Sequence, residues 1–221
     1  MLLSWSGGKD AAWALHVLRQ RGDVEVVGLV TTITEGYERV AMQGIRADVL
    51  QAQARAAALP VIAARMPQRA SNDVYEQVFA AALAQARERW LGLAHVAFGD
   101  LFLADIRAYR EALCARLGWT PLFPLFGSPT ARLARAMIEG GLRAHVCCVD
   151  TQQLDGGFGG RAFDAALLDA LPDGVDPCGE NGEFHTCVSA GPMFSHPLDV
   201  VRGQTVLRDG RFAYTDFLLA P

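Results

Sequence analysis

Apolar residues fall along this chain in short runs, separated by longer stretches in which they return every three or four positions. The runs predict strands and the stretches predict helices. Met1–Trp5 reads as a buried strand. Ala11–Arg21 reads as a helix with Ala11, Ala14, Leu15 and Leu18 on one face, stopped by Gly22. Val24–Thr32 is a second strand, rich in β-branched residues, and 34–44 is polar and irregular. Ile45–Ala58 is helical and Pro60–Ala64 a third strand. Ser71–Trp90 is a long helix entered through Ser71, Asn72 and Asp73, with Glu76 three residues after Asp73 as a candidate capping box. His95–Gly99 is a fourth strand, and Ile106–Leu117 a helix ended by Gly118.

Alternation of this kind predicts a parallel sheet with helical crossovers, an α/β fold of Rossmann-like form. Ligands of such sheets sit at the carboxyl ends of the strands. The loops after Trp5, Val30 and Phe98 are therefore the places to look. Beyond Gly127 the character changes. A helix (Thr130–Glu139), a strand (Leu142–Val149), a glycine-rich loop (Asp155–Gly160) and a helix (Ala162–Leu171) lead into a β-rich end. Its strands are Glu183–Ser189, Val200–Leu207 and Phe212–Leu218. The expected organisation is a first domain over 1–127 and a smaller α+β domain over 128–221, closely packed because no flexible linker separates them.

Composition narrows the function. With 51% hydrophobic and 20% charged residues, the 221-residue chain can bury a large core. No apolar run is long enough to span a membrane, and no signal peptide is expected. The net charge of −4 argues against nucleic acid as a partner. Five cysteines without a C-x-x-C pair suit a reducing cytoplasm better than a disulfide scaffold. Of 20 basic residues only Lys9 is a lysine, and Asn72 and Asn181 are the only asparagines. Residues 150–185 carry eight acids and one arginine, read as a solvated acidic surface. His16, His95, His145 and His196 lack ligand spacing and read as structural, as does Trp5. Arg46 reads equally as a phosphate contact or a surface cation, and Arg110 as a solvated charge.

Two constellations carry chemistry. Ser6-Gly7-Gly8-Lys9-Asp10 joins the first strand to the first helix. Its glycines let backbone N–H groups turn inward as an anion nest, and the helix adds its positive end. Ser6 adds a hydroxyl and Lys9 a mobile ammonium. Asp10 suggests a Mg²⁺-bridged triphosphate or a helix cap. The loop is not a Walker A motif, because Leu3 holds the first glycine position and Asp10 follows the lysine. The second constellation, Asp176 to Thr186, packs three carboxylates, an amide, an imidazole and a thiol around Gly179 and Gly182. Glu183 and His185 are expected on one strand face, which suits proton handling for an amine or Mg²⁺ binding.

The first loop resembles the pyrophosphate loop (S-G-G-x-D-S) of the N-type ATP pyrophosphatases, the PP-loop or adenine nucleotide alpha-hydrolase-like superfamily. Ala11 replaces the last serine. The stretch Cys178-Gly179-Glu180-Asn181-Gly182-Glu183-Phe184-His185-Thr186 resembles the C-G-E-x-G-E-[YF]-x-T signature of the diphthine–ammonia ligase family. Ala97-Phe98-Gly99-Asp100-Leu101, Asp105-Ile106-Arg107 and Pro121 to Gly127 resemble further blocks of that family. The resemblance implies an ATP-dependent amide ligase that adenylates a carboxylate, releases pyrophosphate, and lets ammonia displace AMP. It implies ATP and Mg²⁺ as cofactors. The implied partners are a carboxylate-bearing acceptor (a small molecule or a modified protein side chain) and ammonia, with a second copy of the chain as a further candidate.

By the same resemblance, Ser6, Gly7, Gly8, Lys9 and Asp10 would hold the phosphates. Val30, Thr31 and Thr32 would lie beside the adenine, with Gly99 and Asp100 also in the nucleotide site. Asp10 and Asp100 would be the Mg²⁺ contacts. Glu180, Glu183 and His185, with Lys9 and Asp10, would be catalytic. Arg107, Cys178, Gly179, Asn181 and Gly182 would meet the acceptor or ammonia. Ala11 motivates the alternative, a non-catalytic or ATPase-type nucleotide-binding protein of the same fold.

Overall fold

The computed structural model describes all 221 residues, Met1–Pro221. Its first half is built on a mostly parallel sheet. The strands are β1 (Leu2–Ser4), β2 (Gly28–Thr34), β3 (Arg39–Val40), β4 (Val61–Met66), β5 (His95–Ala97) and β6 (Thr120–Leu122). The parallel order is β4-β2-β1-β5-β6, and β3 pairs antiparallel with the end of β2 through Ile33 and Thr34. The helices α1 (Lys9–Arg21), α2 (Ala47–Ala56), α3 (Asn72–Arg89) and α4 (Ala104–Arg116) connect them.

The second half is a four-stranded antiparallel sheet. It contains β7 (Arg143–Asp150), β8 (Phe184–Ala190), β9 (Val200–Arg208) and β10 (Phe212–Leu219) in the order β8-β7-β10-β9. Two helices, α5 (Thr130–Glu139) and α6 (Ala165–Ala170), belong to this half. Together the halves form the α/β architecture with a Rossmann-like parallel sheet and a smaller α+β part that the periodicity implied.

Most expected elements are present with shifted ends. β2 begins at Gly28 rather than Val24, since the backbone at Gly28 packs against Trp90, where an added Cβ would sit 2.7 Å from the indole. β6 was not anticipated; Pro121 in its centre masks it, and the strand survives because it lies at the sheet edge. The cap of α3 is Ser71, whose hydroxyl accepts from Val74 N, and not Asp73. Glu76 bonds Arg116 instead of closing a capping box. The polar segment after β2 folds back as a short hairpin carrying left-handed Glu38 and Met42.

The two sheets share one hydrophobic core. It runs from Leu3, Trp5 and Leu15 of the first half to Val146, Val188 and Phe217 of the second. Helix α1 is buried on nearly every side, so Ala11, Ala12 and Ala14 are small where the second sheet approaches. Polar bonds cross the same boundary. Gln53 of α2 is fully buried; its amide donates to Gly7 O (3.0 Å) and Val188 O (2.8 Å), and its carbonyl accepts from Trp5 Nε1 (3.1 Å). Asp216 of β10 accepts from both Arg39 and Arg46. Arg46 is thus a clasp between the halves, neither a phosphate contact nor a free surface cation.

Gln53→Leu removes a hydrogen-bond donor from two buried carbonyls, Gly7 O and Val188 O, and the acceptor of the Trp5 indole N–H. A loss of about 3 kcal/mol is expected from the desolvation of those groups. Urea unfolding would read it as a lower midpoint with an unchanged slope.

Candidate functional site

The loop from β1 to α1 is buried, and each of its polar groups has to find a partner. Gly7 takes a left-handed conformation (φ 76°), and an added Cβ would collide with Gln53 at 2.7 Å. Gly7 O accepts from Val188 N (3.0 Å), so β8 is hydrogen-bonded directly to the loop. Gly8 N donates to Ser6 Oγ (3.3 Å), and Lys9 N donates to Thr186 Oγ1 (3.0 Å). No side chain caps α1 with an oxygen at Gly8, which leaves the N-terminal N–H groups of Asp10 and Ala11 available in the wall of a cleft.

That cleft has a volume of about 480 Å³ and lies between the two sheets. From the first half it is lined by Ser6, Gly8, Lys9, Asp10, Gly99 and Asp100. From the second half come Cys178, Gly179, Glu180, Asn181, Gly182 and His185. Residues 170 positions apart in sequence are therefore brought together. Gly99 must be a glycine: an added Cβ would lie 2.9 Å from the Asp10 backbone carbon.

Lys9 differs from the expected mobile ammonium. It is 2% exposed, and its Nζ pairs with Asp10 (2.8 Å) and donates to Cys178 O. The Phe163 and Phe184 rings lie 5.7 and 5.6 Å away. Burial pulls its pKa down, but Asp10 and its other anionic neighbours outweigh this and hold it above the ordinary value. The lysine ties the phosphate loop to the 176–183 loop. Asp10 Oδ1 is buried without a hydrogen-bond partner, an acceptor aimed at a group the protein does not supply.

The 176–183 loop is held by its own acids. Asp176 accepts from Cys178 N and Glu180 N, both at 3.0 Å. Glu183 accepts from Asp176 N (2.9 Å) and Asn181 Nδ2 (3.1 Å). Glu183 is 3% exposed and does not line the cleft, so it does not share a working face with His185. Its role here is to brace the loop. Asp155 and Asp164 cap turns at Gly157 N and Leu167 N. Of the acidic stretch, Asp155, Asp164, Asp169 and Asp173 are exposed to solvent as expected, while Asp150, Asp176 and Glu183 are buried and accept from backbone N–H groups.

Glu180 is left at the cleft. Its Oε1 accepts from Leu101 N (2.8 Å), while burial pushes its carboxyl up to about 7. Half-buried His185 is pushed down to about 4 by burial and by the Lys9 charge, so its imidazole is neutral near pH 7. Burial also pushes the Cys178 thiol up to about 12, so it stays protonated.

Several expected contacts lie elsewhere. Val30 and Thr31 are buried within the sheet and Thr32 is half-buried; none lines the cleft. Arg107 points away, stacked on Phe123 and Phe126 (5.0 and 4.6 Å) and paired with Glu111. Arg110 is the arginine that reaches the cleft, bonding Asp100 (2.9 Å) and Tyr75 over the Phe98 ring. Of these two arginines the cleft is lined by Arg110, where Arg107 was the one expected. Asp100 lines the cleft with one carboxylate oxygen, Oδ2, paired to Arg110. Across the whole chain, no three His, Cys, Asp or Glu side chains gather as a metal site.

Sequence reasoning missed Gln53, Thr186, Asp150 and Arg211. A polar residue on the apolar face of α2 could have flagged Gln53. Thr186 closes the signature stretch from Cys178, and nothing local flags Asp150 or Arg211. Because Lys9 is buried, amine-selective labelling of the nucleotide-free protein is expected to modify the Met1 amino group and to spare Lys9. Peptide mass mapping would check it, and rapid Lys9 labelling would contradict the burial.

No curated protein matches the chain. The family model described as diphthamide synthase N-terminal domain matches residues 1–121, and the one described as diphthamide synthase C-terminal domain matches residues 129–214. With both models matched in order across nearly the whole length, the chain belongs to the diphthamide synthase (diphthine–ammonia ligase) family of ATP-utilising ligases.

Proposed function

We propose that this protein is an ATP-dependent acid–ammonia ligase that cleaves ATP to AMP and pyrophosphate. The observation that carries the reading is the convergence of two groups on one cleft. One is the free N-terminus of α1. The other is Glu180, a carboxyl near neutrality. The first suits a polyphosphate and the second suits an amine.

The residues present fit the nucleotide. Ser6, Gly8 and the first N–H groups of α1 would hold the phosphates, with Gly7 shaping the loop from behind. The positive helix end and Lys9 would stabilise charge growing on the leaving pyrophosphate. The unpartnered Asp10 Oδ1 fits Mg²⁺, which would be shared with phosphate oxygens and would neutralise them. A carboxylate oxygen of the acceptor attacks the α phosphorus, the bond to the β-phosphate oxygen breaks, and pyrophosphate leaves. Ammonia nitrogen then attacks the acyl carbon and AMP leaves with the electron pair. Glu180 takes the proton that the nitrogen loses. Neutral His185 and the Asn181 amide line the same wall and would orient the acceptor or the ammonia. Val30 to Thr32 would bound the adenine only through the strand end, since their side chains are off the cleft. The domains 1–127 and 128–221 would supply nucleotide and acceptor contacts respectively. Five buried, unbridged cysteines fit a cytoplasmic setting.

Two outcomes test this. Incubation with Mg-ATP, ammonium and a pool of cellular carboxylates is expected to yield AMP and pyrophosphate. Formation of ADP, or nucleotide binding without turnover, would favour the ATPase-type or non-catalytic alternative that Ala11 motivates. As a base, Glu180 must be ionised, so turnover is expected to rise with pH through about 7 and level off above it. Glu180→Gln is expected to lower kcat roughly 10²–10⁴-fold and to abolish that rise. Full activity in this variant would remove Glu180 from the mechanism.

A further inference from the structure

Arg211 closes the tight turn between β9 and β10, where Asp209 and Gly210 are both left-handed (φ 51° and 62°). The residue is fixed on all sides but one. Its carbonyl accepts from Thr151 N (2.9 Å) and Thr151 Oγ1 (2.6 Å). Its guanidinium grips both oxygens of Asp150 through Nε (2.8 Å) and Nη2 (2.6 Å). Its plane lies 5.0 Å from the Phe212 ring centre. The remaining nitrogen, Nη1, has no protein partner.

The exposure of this pair is lopsided. The Arg211 side chain is 42% exposed, while the Asp150 side chain beneath it is 1% exposed. Asp150 also accepts from Gln152 N (3.1 Å) and Gln153 Nε2 (2.9 Å). Its charge is divided among four donors, so Arg211 keeps a positive edge facing outward. Arg211, at the β9–β10 turn, and Phe212, at the start of β10, both line the cleft already described. The other two cations of the cleft are less available. Lys9 is buried, and the Arg110 side chain is 21% exposed and paired with Asp100.

We infer that Arg211, held in place by Asp150, is the carboxylate-binding residue of the acceptor subsite. A planar fork already locked in position matches a carboxylate in two parallel hydrogen bonds at little entropic cost. Phe212 beside it provides an apolar surface for the carbon chain of the acid. The inference rests on the ligase reading for the word acceptor, but the binding itself can be measured without turnover.

The test uses the full chain loaded with AMP and titrated with glutarate by calorimetry, in wild type, Arg211→Gln and Arg211→Lys. Glutarate affinity is expected to fall at least tenfold in Arg211→Gln. An intermediate loss is expected in Arg211→Lys, because an ammonium cannot make the fork. AMP and pyrophosphate affinities are expected to stay unchanged. Equal glutarate binding in wild type and Arg211→Gln would overturn the assignment, as would no glutarate binding by wild type. A loss that falls on AMP or pyrophosphate would overturn it too, by making Arg211 a phosphate ligand. Should Arg211→Gln fail to fold, Arg211→Lys carries the comparison. Arg211-dependent glutarate binding without AMP formation from ATP would leave the subsite standing and remove the ligase reading.

Discussion

A loop of bare backbone buried between two sheets is the constraint on which the rest of the molecule depends. Gly7, Gly8 and Lys9 are buried, so most of the loop's carbonyl and N–H groups must be satisfied from inside. The second half of the chain and α2 together do this. Val188 N and the Gln53 amide take the Gly7 carbonyl, and Thr186 Oγ1 takes the Lys9 N–H. These bonds press β8 against the start of α1. Once β8 is there, the loop that precedes it has one place to go, and that place is the mouth of the α1 N-terminus. The cleft is a consequence of completing the hydrogen bonds of the Ser6–Asp10 loop.

Charge is organised by the same economy. The acids of the 176–183 loop first satisfy their own backbone: Asp176 and Glu183 fold the turn and bury themselves in doing so. Glu180, given one backbone donor and little water, is left with a carboxyl near neutrality. A single turn thus contains carboxylates that fold it and one left near neutrality, separated by burial and by the number of donors each receives. The cations divide in the same way. Lys9 bridges two loops, Arg46 and Arg39 share Asp216 across the halves, and Arg211 alone combines a rigid setting with wide exposure.

Much of this was legible in the residues. The strand–helix alternation identified the parallel sheet, and the glycines at 7 and 8 identified a phosphate-type turn. The density of polar groups from Asp176 to Thr186 marked a functional loop. What escaped had a common physical origin. Arg107 and Arg110 are three residues apart on one helix, and only the positions of Phe123, Phe126 and Asp100 decide which of them turns inward. Glu183 and His185 satisfy the period-two rule, yet the strand begins at Phe184, so Glu183 belongs to the turn. Pro121 hid an edge strand that a neighbour, β5, stabilises from outside the local sequence.

By itself the sequence determined the element types, the α/β architecture, the phosphate loop and the family signature, because these rest on local periodicity, glycine conformation and contiguous residues. Tertiary structure alone decided that Lys9 is a buried tether, that Glu183 is a brace and that Asp100 is bound by Arg110. It also brought Arg211, from the far end of the chain, to the same cleft. Each of these is set by which distant group reaches a charge first in a space with little water. A linear sequence carries no record of that competition.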